Sequence, residues 1–162
     1  MIAIALVVGA GFAWLLIGRW TAPKIDGIPC VATEELTYHV HAHLSIVDGG
    51  QQSTPPGNTG ISLLHLCLYW LHTHDSSGMI HIEAPHRIAP TLGNFFDIWG
   101  EPLSRQRVSH FAVNPGQTMR VYVGKQMYRG DPRAIKLLAH SIVTVEIGPP
   151  FIPVKSVHWN GL

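Results

Sequence analysis

The chain has 162 residues, only 13% of them charged, and a formal net charge of +1. That length allows one domain plus an anchor, and the lack of any basic run or basic aromatic-rich face argues against nucleic acid as a partner. Eleven histidines equal the lysines and arginines combined, so acid would change the protein's charge strongly.

Ile2 to Gly18 is a run of 17 uncharged residues closed by Arg19-Trp20. It sits at the short end of the roughly 17–25 residues that span a bilayer, and Trp14 and Trp20 suit a membrane interface. A cleaved signal peptide would need a basic n-region and a small-x-small site, and a buried core helix would show a polar face; the run shows neither. The expectation is an N-terminal transmembrane helix in residues 1–20, contacting the cell membrane through residues 2–18. A linker follows over 21–29, punctuated by Pro23, Gly27 and Pro29, and then an extracytoplasmic β domain over 30–162. Arg19 and Lys24 oppose export, because positive flanks prefer the cytoplasm. Cys30 and Cys67 favour it: they are the only cysteines, and a disulfide between them fits an oxidising compartment.

Within that domain, Tyr38 to Val47 alternates as a half-buried strand, and Asp48-Gly49-Gly50 signals a turn. Gln51 to Gly60 reads as loop. Ile61 to Leu71 is nearly all apolar and reads as a central strand covered on both faces. Asp75-Ser76-Ser77-Gly78 turns the chain, and Met79 to Glu83 returns as a short strand, so residues 71–83 read as a hairpin. Thr91 can cap a short helix over Leu92 to Trp99, with Leu92, Phe95, Phe96 and Trp99 on one core-facing stripe and Gly100 and Pro102 ending it. Strands follow at Val108–Val113, Thr118–Val123 and Ser141–Ile147. Short strands at regular spacing imply a mainly β fold, a small antiparallel sandwich or barrel with one short helix.

The chemistry concentrates in two runs. Side chains two apart on a strand share a face. His39, His41 and His43 therefore line one face of the first strand, with Val40, Ala42, Leu44 and Ile46 on the other. His72 and His74 share a face by the same rule, as do His81 and Glu83. Imidazole suits zinc, copper, iron and nickel, and strand-borne His-x-His pairs facing across a ladder can complete a four-ligand zinc site. The candidate metal ligands are His41, His43, His72, His74 and His81. His39, Asp75 and Glu83 are possible ligands, or acceptors for the second ring N–H of a ligating histidine. The cofactor expected is a transition metal ion, Cu(II) or Zn(II). Isolated His65, His86, His110, His140 and His158 read as surface or hydrogen-bonded residues.

The runs YHVHAHLSI, CLYWLHTHDSSGMIHIEAP and TLGNFFDIWGEPLS resemble an uncharacterised family of membrane-anchored bacterial proteins with no assigned activity. The resemblance covers most of Cys30 to Gly148 and implies that the histidine runs form one unit; it implies no reaction. The function expected is metal acquisition, buffering or delivery by a membrane-anchored extracytoplasmic protein. One alternative is a metal-dependent enzyme, a zinc hydrolase or a copper or iron oxidoreductase. No HExxH or nucleophile elbow is present, however, and Glu83 lies nine residues beyond His74, outside the cupin spacing. A further alternative is a histidine-based pH-sensing interaction domain.

Overall fold

The computed structural model describes residues 22–153 and 156–159. The expected anchor at 2–18 lies outside the described residues, and among the described residues no helix is long and apolar enough to cross a membrane. The chain is mainly β, with one α-helix among the described residues. In order, the strands are β1 (Cys30–Val31), β2 (Tyr38–Asp48), β3 (Gln51–Ser53), β4 (Ile61–Ser62), β5 (Cys67–Tyr69), β6 (Leu71–His72) and β7 (Met79–Ala84). Helix α1 (Leu92–Trp99) follows, then β8 (Arg107–Val108), β9 (Phe111–Ala112), β10 (Thr118–Val123), β11 (Gln126–Met127) and β12 (Ser141–Gly148).

One sheet dominates, in the order β11-β10-β12-β2-β7-β6, with β3 folded back on the end of β2. Gly49 and Gly50 make that last reversal, both at positive φ, so that Asp48 pairs with Gln51 across a two-residue turn. The expected antiparallel sheet is in fact mixed. β10 and β12 run antiparallel, but β12 then lies parallel to β2, pairing Ser141 with Ala42 through Ile147 with Asp48. The chain between β2 and β12 serves as the connection, since parallel neighbours need a crossover rather than a tight turn.

Alternation along β2 sends Ala42, Leu44 and Ile46 into the core, where Ile80 and Ile82 of β7, Leu71 of β6 and Val143, Val145 and Ile147 of β12 meet them. Helix α1 closes this layer with Leu92, Phe95 and Phe96, all fully buried. Its ends follow from local chemistry. Thr91 accepts from the Asn94 N–H while the Asn94 side chain returns to the Thr91 N–H, and Gly100 takes the left-handed C-cap. Burying side chains of this size contributes about 1.5–3 kcal/mol each, which is why the opposite sheet face is free to carry polar chemistry.

The stretch Ile61–Leu71 departs from the expected central strand. β4 and β5 form a two-rung hairpin whose tip leaves Leu63, Leu64 and Leu66 exposed. The Ser62 hydroxyl accepts from the His65 N–H, and Leu66 sits at φ 51°, so the chain turns where hydrophobicity alone would run it straight. This hairpin joins β1 in a small three-stranded sheet, and the Cys30–Cys67 disulfide ties the two together across 37 residues of sequence.

Candidate metal centre

Register brings the histidines together. β2 pairs with β7 so that His41 stands opposite His81 and His39 opposite Glu83, and β6 pairs with β7 so that His72 also stands opposite His81. Three imidazoles therefore form one row across three adjacent strands, on the face away from the apolar core. His74 follows two residues beyond His72, and its ring centroid lies 4.4 Å from that of His81. The hairpin expected over 71–83 forms, and its mouth holds these rings.

The approach of β6 to the cluster is held by the loop that precedes it. Thr73 is fully buried. Its hydroxyl donates to the Pro56 carbonyl (2.7 Å) and accepts from the Thr59 N–H (3.0 Å), while its backbone pairs with Thr59 and Asn58. Of the expected loop Gln51–Gly60, Gln51–Ser53 is strand β3, and the rest, featureless in sequence, is the clamp that fixes the segment carrying His72 and His74. On the other side, Gly78 packs its Cα against β2. A Cβ there would meet the Leu44 carbonyl oxygen at 2.6 Å and His43 Nε2 at 2.9 Å, and its φ of 90° already favours glycine.

Donor atoms converge at spacings a metal ion can use. His72, His74, His81 and Glu83 each offer one ligand atom, all within 4.8 Å of one another, and His39, His41 and His81 form a second such group. His72 Nε2 lies 3.3 Å from His74 Nε2, and Glu83 Oε1 lies 3.3 Å from His81 Nδ1, 3.2 Å from His39 Nε2 and 3.8 Å from His72 Nε2. A tetrahedral ion with bonds of about 2.0–2.1 Å separates its ligand atoms by about 3.3–3.4 Å, close to most of these distances.

Hydrogen bonding fixes one tautomer. His72 Nδ1 lies 2.9 Å from the Tyr69 carbonyl, which can only accept, so Nδ1 carries the proton and Nε2 presents its lone pair to the cluster. Two further polar atoms of the cluster lack partners: His41 Nε2 and Glu83 Oε2 are buried without a hydrogen bond. Burial favours the neutral form of His41, His72 and His81. It lowers the pKa of His41 and His72, and it takes His81, with help from the neighbouring imidazoles of His41, His74, His72 and His39, down to about 3. Burial also pushes the Glu83 carboxyl up, assisted by Glu34. Neutral imidazoles facing a buried carboxyl make a site rich in lone pairs and poor in protons, which suits a cation.

No protein family, curated protein or solved structure matches the chain. The resemblance carried by the HTHDSSGMIHIE run therefore assigns no chemistry to the site, whose geometry stands by itself.

The candidate residues separate clearly. His41, His72, His74 and His81 lie in the two donor groups, together with His39 and Glu83 from the secondary list. His43 lies outside both groups: its Nε2 is 3.0 Å from the Ser77 carbonyl, to which it donates, and it props the 75–78 turn. Asp75 also belongs to that turn, its Oδ1 accepting from the Ser77 N–H. Sequence reasoning missed Glu34, whose Oε1 lies 3.5 Å from His74 Nε2; it sits in the turn between β1 and β2 with no neighbouring histidine to mark it. Cys30 and Cys67 are bonded to each other and so supply no ligand. A cleft of about 280 Å³, bounded by Ile46, Thr54, Trp99, His110 and Phe111, contains none of the clustered histidines.

Proposed function

We propose that this chain is a membrane-anchored, extracytoplasmic protein that binds a divalent transition metal, zinc or copper(II), for acquisition, buffering or delivery. Residues 1–20 would serve as the anchor, 21–29 as the linker and the remainder as the exported metal-binding domain. The ligands would come from His72, His74, His81 and Glu83, with His39 and His41 beside them. The observation that carries this reading is the His72 tautomer. Its Nδ1–H is engaged by the Tyr69 carbonyl, so its buried Nε2 presents a lone pair to His74 Nε2 at 3.3 Å and Glu83 Oε1 at 3.8 Å, three donor atoms converging on one point. A metal ion resolves that arrangement.

A metalloenzyme is the second reading, favoured by the exposure of His74 and His39 at the rim, which leaves solvent access to a bound ion. A pH sensor is disfavoured, because burial lowers the pKa of His41, His72 and His81 below the ordinary histidine value.

The test is elemental analysis and EPR of the full-length protein, purified from an oxidising compartment without a chelator or a metal-affinity column. Bound metal is expected; a Cu(II) EPR signal would separate copper from zinc. His72→Ala should lower affinity by at least about 100-fold, beyond the 10–100-fold typical of losing a supporting hydrogen bond, whereas His43→Gln should keep the metal. Metal-free protein, or equal losses in both variants, refutes the assignment.

A further inference from the structure

The two donor groups share only His81. Together they present five imidazoles and one carboxylate, and a tetrahedral ion accepts four ligands. His39 and His41 come from β2 at one side of the row, and His72 and His74 from β6 and its extension at the other. His81 and Glu83, both on β7, stand between them. Glu83 touches both sides through Oε1, at 3.2 Å from His39 Nε2 and 3.8 Å from His72 Nε2, while its buried Oε2 has no partner. On the second side, His39 Nε2, His81 Nδ1 and Glu83 Oε1 form a triangle with edges of 3.2, 3.3 and 3.4 Å, the dimensions of one face of a tetrahedral zinc shell.

We infer that the cluster is a dinuclear centre: one divalent ion held by His72 and His74, a second by His39, His41 and the Nδ1 of His81, with Glu83 of β7 shared between them. The inference rests on the metal reading above. Glu83 would bridge through its two oxygens, the arrangement that sets ions about 3.5–4 Å apart in two-metal sites, and this gives the orphaned Oε2 a partner. The excess of donors over one ion's needs follows from three strands each contributing to one face, which no single His-x-His pair could do.

The experiment is a zinc titration of the metal-stripped full-length protein against a chromophoric chelator, repeated with cobalt(II) and read by EPR. Two equivalents of zinc per chain are expected, with a spin-coupled signal when both sites hold cobalt. His39 and His74 are both partly exposed, so His39→Ala and His74→Ala should fold. Each is expected to bind one equivalent and to lose the coupling. Glu83→Gln should abolish the coupling in a protein whose far-UV circular dichroism is unchanged. Saturation of the unsubstituted chain at one equivalent overturns the dinuclear centre while leaving the metal reading intact. Two equivalents without coupling overturn the bridge and its sharing of ligands. No binding at all overturns both.

Discussion

Removing the Cys30–Cys67 bridge should cost this protein a large part of its stability. The bond closes a loop of 37 residues. In the chain-entropy treatment such a loop restricts the unfolded chain by about 13 cal/mol/K, or about 4 kcal/mol near room temperature. A domain of this size has about 5–15 kcal/mol in total. The bridge also pins β1 to β5, which otherwise share only two register pairs, so little else in the ladder holds β1 to the small sheet. The assay is urea unfolding of the full-length protein followed by tryptophan fluorescence, comparing the oxidised chain with the Cys30→Ser, Cys67→Ser double variant. With a slope of about 2 kcal/mol/M, the midpoint should fall by about 2 M at unchanged slope. The same fall should appear when the unsubstituted chain is reduced. A loss below about 1 kcal/mol by both routes would refute the loop-closure account and place the stability of the hairpin in its packing instead.

Thr73→Val keeps the shape but leaves the Thr59 N–H without its partner, while the Pro56 carbonyl retains the Thr59 hydroxyl. It should cost about 1–3 kcal/mol and weaken metal binding by freeing the His72–His74 segment; unchanged affinity in a destabilised variant would separate the clamp from the site. In metal-stripped protein, stability should fall as pH drops from about 6.5 towards 3. The folded-state pKa of His81 is about 3 against an ordinary 6.5, so the unfolded chain takes up its proton first. The folded state then loses up to about 1.4 kcal/mol per pH unit across that window. The lowered pKa values of His41, His43 and His72 act with the same sign. Melting temperature against pH checks this, and a flat profile between pH 6 and 4 would refute it.

The strand at 38–48, the return strand at 79–84, the helix at 92–99 and the last strand at 141–148 are all visible in the sequence. Period and capping chemistry mark them: alternation around His39-x-His41-x-His43, Thr91 before the aromatic stripe, Gly100 after it. The disulfide was legible from the cysteine count alone. What local pattern could not supply was long-range pairing. The run Ile61–Leu71 looked like a buried strand because its residues are apolar, yet its tip leucines face solvent and a serine hydroxyl turns the chain. At the site, period two showed which side chains share a face within each strand, but neither the register that lines up His41, His72 and His81 nor the ranking of ligands was readable. His43 has the same parity as His41, and only the Ser77 carbonyl shows that its nitrogen is occupied elsewhere. Glu83 and His39 gain their place from pairing opposite each other, a fact of register that lies across 44 residues of sequence.

The parallel pairing of β12 with β2 sets an order of events during synthesis. The clustered donors all lie between His39 and Glu83, on strands that have emerged long before β12. The other long flank of β2 is covered only by the final strand, Ala42 waiting for Ser141. Contacts so distant in sequence close slowly. A nascent chain can therefore assemble its histidine row while the backbone of β2 still offers open hydrogen-bonding groups on one side, the kind of edge that recruits wrong partners. An ion captured at that stage would act as a staple among β2, β6 and β7, holding the central strand in register until the C-terminal strand arrives. Metal supply would then govern the yield of folded protein as well as its occupancy.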